Sequence, residues 1–201
     1  KRYENYTQPG TIEASCLAGR REAPVETIEI YAIPDPATRV AALEAGDVDL
    51  IQALPLDDAP RFEQDPAFDV VVGSPGYRIY YKFNAHSGPF SDPLLREAVR
   101  TAVDSEALMS AIGNSNYWRV NHSVRWQEGQ WMWSKVAWAD YTNDMDRARE
   151  LVRNSSYNGE EIRFLASPGR PLEFKTMVPM QETLQDIGLN VNVISVDAAT
   201  F

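Results

Sequence analysis

The side chains best suited to chemistry are few in this sequence, and they stand apart from one another. The two histidines, His86 and His122, have neither a second histidine nor a carboxylate at metal-ligand spacing beside them. The single cysteine, Cys16, lacks a histidine partner. Asp57 and Asp58 are adjacent, but neighbours on a helix point about 100° apart, so these two carboxylates cannot share a proton. We therefore predict no catalytic residue, no metal site and no cofactor.

A tryptophan-rich stretch is the first candidate for ligand contact. Residues 114–143 break every helical or strand periodicity, and a loop of this length is more often functional than filler. Besides Trp118, this stretch contains Trp126, Trp131, Trp133 and Trp138. Rings with a hydrogen-bonding edge suit a small solute held in a cleft. Either Trp131 and Trp133 contact a ligand, or the rings pack the loop onto its own domain.

An aromatic strand from Tyr77 to Phe83, ending at Asn84, is the second candidate. Strict alternation divides it into two faces, because successive side chains of a strand point to opposite sides. One face holds Tyr77, Ile79, Tyr81 and Phe83, and the other holds Arg78, Tyr80, Lys82 and Asn84. One face must be core, so at most one set reaches a cleft. We predict Tyr77, Tyr80 and Asn84 as ligand-binding residues; Asn84 either supports the edge of the cleft or caps the following loop.

Two arginines lie four residues apart on the helix that follows. Arg96 and Arg100 point away from its apolar face. They could grip an anionic ligand bidentately. The interpretation we favour is a structural pairing with neighbouring carboxylates such as Glu97 or Asp104.

The helix that carries these arginines has a well-specified start. Asp92 stands at the N-cap position and Pro93 at the first helical position. Apolar residues then recur at helical spacing and predict one buried face, formed by Leu94, Leu95, Ala98, Val99, Ala102 and Val103. Asp104 predicts a second cap and a short helix ending near Gly113, and Asp35 with Pro36 predicts the same arrangement earlier in the chain.

The remaining elements alternate between strands and helices. Strands are predicted at 27–33, 49–51, 68–72, 77–83, 162–166 and 189–196. Helices are predicted at 35–46, 92–103, 104–113 and 171–187, the last kinked or split by Pro179. A further helix starts at Asp144 or Asp146 and runs to Arg153, and residues 57–62 form a short helix or a turn. Residues 1–24 are an irregular lead-in. This order predicts a mixed α/β fold in a single domain spanning 1–201.

Composition excludes two classes of partner. The chain has 19 basic and 29 acidic residues, a net charge of −10, so nucleic acid and anionic membranes are poor partners. No run of about 18 apolar residues is present, so no segment is expected to span a bilayer.

Four blocks of the sequence resemble one protein family. The stretch from Phe83 to Leu108, with Phe-Asn, Pro-Phe and Leu-Arg-x-Ala-x-x-x-Ala-x-Asp, resembles the signature of the family 5 extracellular solute-binding proteins, the peptide and nickel receptors of ABC importers. Residues 33–49 resemble its Asp, Arg, Leu, Gly-Glu-Val-Asp segment. Residues 146–159 and 184–197 are similar to its last two segments. Ser155-Ser156 departs from the alanine and glycine usual before tyrosine.

The resemblance implies an architecture and a function. The expected fold is a lobe similar to type II periplasmic binding proteins, a mixed sheet flanked by helices. The chain would be the distal lobe of a longer protein, whose proximal lobe and signal peptide are not in this sequence. The implied function is to bind peptides or similar small solutes between the lobes, without enzymatic activity, and to deliver them to ABC permease subunits. The implied location is the periplasm or the outer surface, anchored to the membrane as a lipoprotein.

Two other functions remain open at this point. The same fold occurs as the ligand-sensing domain of cytoplasmic transcription regulators, in which a DNA-binding domain would precede residue 1. A hydrolase acting through unmatched carboxylates is the third hypothesis.

Overall fold

The computed structural model describes residues 25–73, 78–121, 143–197 and 199–200. The chain divides into two compact units, residues 1–54 and 55–201. The expectation of one distal-lobe domain stays a prediction. No helix in the described ranges is long and apolar enough to cross a membrane.

The first unit contains helix α1, Pro36–Glu44. Its start agrees with the prediction, since the Asp35 carboxylate accepts a hydrogen bond of 2.8 Å from the Thr38 backbone N–H. Arg39 donates to the carbonyls of Ile33 and Pro34 at 2.8 and 2.9 Å, which fixes the approach to the helix. The predicted strands at 27–33 and 49–51 form no strand pairing with any described residue, and Ile30 is 90% exposed.

The second unit is an alternating series of helices and strands. Its helices are α2 (Ala59–Glu63), α3 (Pro93–Ala102), α4 (Ser105–Ser110), α5 (Met145–Asn154), α6 (Pro171–Lys175) and α7 (Met177–Asp186). Its strands are β1 (Ile162–Ala166) and β2 (Val191–Ser195), and single 3-10 turns lie at Pro89–Ser91 and Ser115–Tyr117. The predicted strands 68–72 and 77–83 are not paired with any strand in the described ranges. Where these segments are described, their backbone is irregular and not helical.

A single carboxylate fixes the start of α3 and the end of α5. One oxygen of Asp92 accepts from the Leu94 N–H at 2.8 Å, and the other accepts from the Ser156 N–H and hydroxyl at 2.7 and 2.9 Å. These donors, the Ser156 N–H first, lower the pKa of Asp92 because they stabilise its charged form. The predicted cap is confirmed, and Ser156, which departs from the family pattern, is its partner.

Helices α3 and α5 pack against each other at the centre of the second unit. Leu95, Ala98 and Ala148 have no exposed surface, and Leu151 is 2% exposed. The same core extends under the sheet through residues of α7 and the strands, namely Ile162, Met180, Leu184, Ile187, Leu189 and Val191. Burial of these apolar side chains is the main source of stability for this unit.

Strands β1 and β2 form a parallel pair joined by α6 and α7. The register places Ile162 beside Val191 and Ala166 beside Ser195. A parallel pair needs such a crossover connection, and the helices then cover one face of the sheet. The strands therefore run in the same direction, and their carboxyl ends lie at one edge.

The long helix predicted at 171–187 is split, but not at the predicted residue. The break is at Thr176, where α6 ends and α7 begins, and its side chain is 1% exposed. Pro179 is the third residue of α7. A proline in the first turn costs no hydrogen bond, because the N–H groups there have no helical partner. The predicted kink or split at Pro179 is therefore wrong, and the helix is broken at Thr176.

Candidate functional site

A depression lies at the carboxyl ends of β1 and β2. It has a volume of about 440 Å³ and is lined by Pro168, Gly169, Ser195, Val196 and Asp197. The Val196 N–H donates to the Ala166 carbonyl at 2.8 Å, so the strand pairing continues to its rim. In α/β sheets ligands bind outside the carboxyl ends of parallel strands, and pockets of this volume suit small molecules.

Asp197 is the charged group that lines the depression. One of its oxygens accepts from the Ala199 and Thr200 N–H groups at 2.9 and 2.8 Å. The Thr200 N–H, followed by the Thr200 hydroxyl, lowers the pKa of Asp197. The carboxylate is therefore ionised at neutral pH and gives the rim a negative charge.

A buried hydroxyl lies next to this rim in the sequence. Ser167, between Ala166 of β1 and Pro168 of the lining, is 3% exposed, and its Oγ has no hydrogen-bond partner among the residues that the structure describes. A buried hydroxyl without a partner is costly, so such groups are uncommon in folded proteins.

The segment 78–84, which carries two of the predicted ligand residues, packs against β1. The Tyr81 ring lies edge-on to Phe164 of β1 with 5.4 Å between centroids, and the hydroxyls of Tyr81 and Thr176 share a hydrogen bond of 2.5 Å. Burial raises the pKa of Tyr81, so its phenol is protonated at neutral pH. Tyr81 therefore fixes which face of the segment points inward.

Tyr80 lies on the outward face, as the alternation predicts. Its side chain is 63% exposed, and the Lys82 ammonium lies 5.3 Å from the centre of its ring. Asn84 takes the role of loop cap: its amide donates to the Ser87 hydroxyl at 3.1 Å and its oxygen accepts from the His86 N–H at 3.2 Å. Ligand contact by Tyr80 and Asn84 stays a prediction.

The other predicted contacts lie outside the described residues, namely Tyr77, Trp131 and Trp133. His122 and Cys16 also lie outside them. Of the tryptophan-rich stretch, residues 114–121 are described, and there the Trp118 ring nitrogen donates to the Gly113 carbonyl at 2.9 Å. That ring packs onto its own domain.

Other polar residues weighed from the sequence have structural partners. Asp57 pairs with Lys175 at 2.9 Å and Asp58 with Arg61 at 3.1 Å, so the adjacent carboxylates face different cations. Arg96 donates to the carbonyls of Phe90 and Ser91 at 2.6 and 3.0 Å. Arg96 therefore has the structural role that we favoured, but its partners are carbonyls of the 3-10 turn and not the carboxylates of Glu97 or Asp104. Among the described residues, no three side chains of the metal-binding types cluster.

Sequence reasoning missed the depression itself. The signal was present, since Ser167-Pro168-Gly169 follow one predicted strand and Asp197 follows another. Two strands separated by helices are expected to be parallel neighbours, which brings the residues after them to the same edge. The volume between them depends on packing and could not be deduced from the order of elements.

Comparisons with known proteins agree on one group. Residues 1–201 match the family described as bacterial extracellular solute-binding proteins, family 5 Middle. The chain is 26% identical over 186 residues to a probable peptide ABC transporter periplasmic-binding protein of Sinorhizobium fredii, covering 90% of this chain. The chain is 29% identical to heme-binding protein A of Haemophilus influenzae over 147 residues, which cover 72% of this chain. It spans only 35% and 26% of these two relatives.

A solved structure gives the same result for the fold. The binding protein AgaA from A. tumefaciens R10, in complex with agropinic acid, superimposes with a TM-score of 0.68 and 26% identity. The match covers 84% of this chain and 34% of AgaA. The predicted α/β architecture, similar to that of periplasmic binding proteins, is confirmed.

Proposed function

The chain belongs to the bacterial extracellular solute-binding proteins of family 5, and on that premise we propose that it is one lobe of a receptor for an ABC importer. In this proposal it is the distal lobe, and a proximal lobe of the same protein completes the cleft. The receptor binds a peptide or a similar small solute and delivers it to the permease subunits in the membrane. Of the relatives described above, one is a probable peptide ABC transporter periplasmic-binding protein and the other is a heme-binding protein, which supports a binding role without enzymatic activity.

The depression at the carboxyl ends of β1 and β2 is the observation that carries this proposal. Its volume of about 440 Å³ is large enough for part of a small solute, and Asp197 gives it one ionised group. It is open to one side, as the half of a cleft must be. A second lobe closing over it would remove the solute from water.

The predicted ligand residues belong to the proposal too. We expect the aromatic rings of Tyr77, Tyr80, Trp131 and Trp133 to cover apolar parts of the solute, because rings offer contact area with little loss of conformational entropy. Asn84 acts through the loop that it caps, by keeping the end of segment 78–84 in place.

Function follows from a difference in affinity between two states. In two-lobed receptors the ligand binds the closed state more tightly than the open one, and hinge motion converts one into the other. The permease then recognises the closed state. No covalent chemistry is needed, and the expected location is the periplasm or the outer membrane surface, with the receptor anchored as a lipoprotein.

Peptides are the proposed solutes because the Sinorhizobium relative is a probable peptide-binding protein. Agropinic acid, bound by AgaA, shows that other small solutes suit the same architecture. None of the relatives reported above is described as a regulator, so no observation favours the transcription-regulator alternative.

Thermal unfolding of the longer receptor tests the proposal. A pool of di- to pentapeptides at a hundredfold excess over Kd should stabilise it by about 2.7 kcal/mol, while the 201-residue chain alone should show little shift. Ser195→Trp fills the depression and should abolish the shift. Arg153→Trp, on the exposed end of α5, is the matched control and should keep it.

The outcomes separate the parts of the proposal. An equal shift in Ser195→Trp and in the control would contradict a role for the depression. No shift with peptides, but a shift with a metal chelate, a sugar or an opine, would contradict peptides as the solute. No shift with any of these would contradict the receptor function.

A further inference from the structure

Alternation along segment 78–82 places a cation on each side of an aromatic ring. Arg78, Tyr80 and Lys82 alternate with Ile79 and Tyr81; Tyr80 and Lys82 are exposed, and Arg78 is half-buried. Alternate residues of an extended chain lie about 7 Å apart, so the two basic side chains bracket the ring. We call these three residues, Arg78, Tyr80 and Lys82, the basic strip.

The direction of the basic strip is fixed from the inner side. Tyr81 contacts Phe164 of β1 by its ring and Thr176 by its hydroxyl. A shift by one residue in one direction would place Lys82 in that inward position, and burial of its charge there is unfavourable. The positions of Tyr80 and Lys82 on the opposite face therefore follow from these two contacts.

Among the described residues, carboxylates pair with five cations of the second unit, and neither cation of the basic strip is one of these five. The described ion pairs join Arg61 to Asp58, Arg147 to Glu150, Arg149 to Asp146, Arg170 to Glu173 and Lys175 to Asp57. None of the ion pairs between described residues includes Arg78 or Lys82. The described contact of the Lys82 ammonium is with the Tyr80 ring. In a chain of net charge −10, this strip is a local positive potential that attracts anions.

We propose that the basic strip binds the carboxylate of a small solute, with the Tyr80 ring covering the planar or apolar group that carries it. Arg78 can present two parallel N–H donors to a carboxylate, and Lys82 offers an ammonium held over the Tyr80 ring. Tyr80, which is 63% exposed, supplies the apolar contact. The solute class is therefore a small organic anion rather than a neutral compound.

This inference deepens the proposed function, and for transport it depends on that function. Segment 78–82 packs on Phe164, two residues before the end of β1, and the depression begins just after that strand. Binding of a carboxylate by the strip is nevertheless measurable on this chain alone.

The probes are benzoate, benzamide and acetate. Their binding is monitored by ¹H–¹⁵N NMR of the 201-residue chain. Benzoate has ring and charge, benzamide only the ring, and acetate only the charge. We expect benzoate to shift the amide signals of residues 78–82 in a saturable way. Arg78→Gln and Lys82→Gln should each weaken binding about three- to fivefold, as exposed charge pairs do, and added salt should weaken it further.

The control variant is Arg153→Gln, which removes one exposed positive charge from α5. It should leave the benzoate affinity unchanged, whereas Tyr80→Ala should reduce it towards that of acetate. Equal affinities for benzoate and benzamide, or unchanged benzoate binding in the Arg78→Gln/Lys82→Gln double variant, would overturn the inference. Such a result would leave the receptor function intact if peptides still stabilise the longer receptor, so the two failures are distinguishable.

Discussion

The hydroxyl pair between Tyr81 and Thr176 gives the sharpest prediction about how segment 78–84 is held. The two hydroxyls share a hydrogen bond of 2.5 Å, and Thr176 also donates to the Glu173 carbonyl at 2.7 Å. Tyr81→Phe removes one partner, but the Thr176 hydroxyl keeps its bond to Glu173. Thr176→Val keeps the shape of the side chain and leaves the Tyr81 hydroxyl without its partner.

The two substitutions should therefore differ in cost. Loss of one net hydrogen bond costs about 1 kcal/mol, so Tyr81→Phe should lower the free energy of unfolding by about that amount. A buried hydroxyl left unpaired costs about 1 to 3 kcal/mol, and Thr176, 1% exposed, loses its own bond to Glu173 as well. We expect about 2 kcal/mol or more for Thr176→Val. The double variant should cost no more than Thr176→Val alone, because no hydroxyl is then orphaned.

Urea unfolding followed by far-UV circular dichroism measures these differences, provided that the slope with urea is unchanged. The four proteins form a double-mutant cycle, which isolates the coupling between the two side chains. Equal costs for the single variants, or costs that simply add, would refute the reasoning. The inward position of Tyr81, and with it the outward position of Tyr80, would then lose their support.

Three further predictions follow from the core and from two shifted pKa values. Leu95→Ala, at a fully buried position, should lower the free energy of unfolding by about 3 to 5 kcal/mol, whereas Leu165→Ala, at a position 45% exposed, should cost far less; urea unfolding checks both. Because the pKa of Asp92 is lowered, its hydrogen bonds to Ser156 stabilise the fold above pH 3.8, and this stabilisation is lost as pH falls through the lowered pKa. In an acid titration of stability, Asp92→Asn should not show this loss. The raised pKa of Tyr81 means that its contribution is complete below pH 10.0 and is lost as pH rises through the raised pKa, so alkaline unfolding of Tyr81→Phe should lack that step.

Helix starts could be predicted from the sequence because they depend on local side chains. Asp35, Asp92, Asp104 and Asp144 each accept hydrogen bonds from backbone N–H groups of the first turn, as their positions indicate. The apolar face of α3 was also predictable, because helical spacing alone selects which residues are buried. These features need no knowledge of the rest of the chain.

Features that depend on distant partners were not predictable. The alternation in 27–33 and 68–72 indicates strands, but a strand requires a neighbour, and none lies among the described residues. Arg96 was predicted to pair with Glu97 or Asp104, yet it binds the carbonyls of Phe90 and Ser91, whose position depends on the fold of the 3-10 turn.

The candidate site shows the same division. Alternation indicated that Tyr80 points away from Tyr81, and the structure agrees. The unpartnered hydroxyl of Ser167 and the depression beside it depend on how β1, β2 and the connecting helices pack. Packing of this kind leaves no periodic trace in the sequence.

The central claim is that a solute binds at the carboxyl ends of β1 and β2. Hydrogen exchange of the longer receptor, measured by mass spectrometry with and without the peptide pool, tests it most directly. We expect slower exchange in segments containing Gly169 and Val196, with no change at the exposed end of α5 near Arg153. Unchanged exchange at Gly169 and Val196, in a receptor that the same pool stabilises against heat, would contradict it.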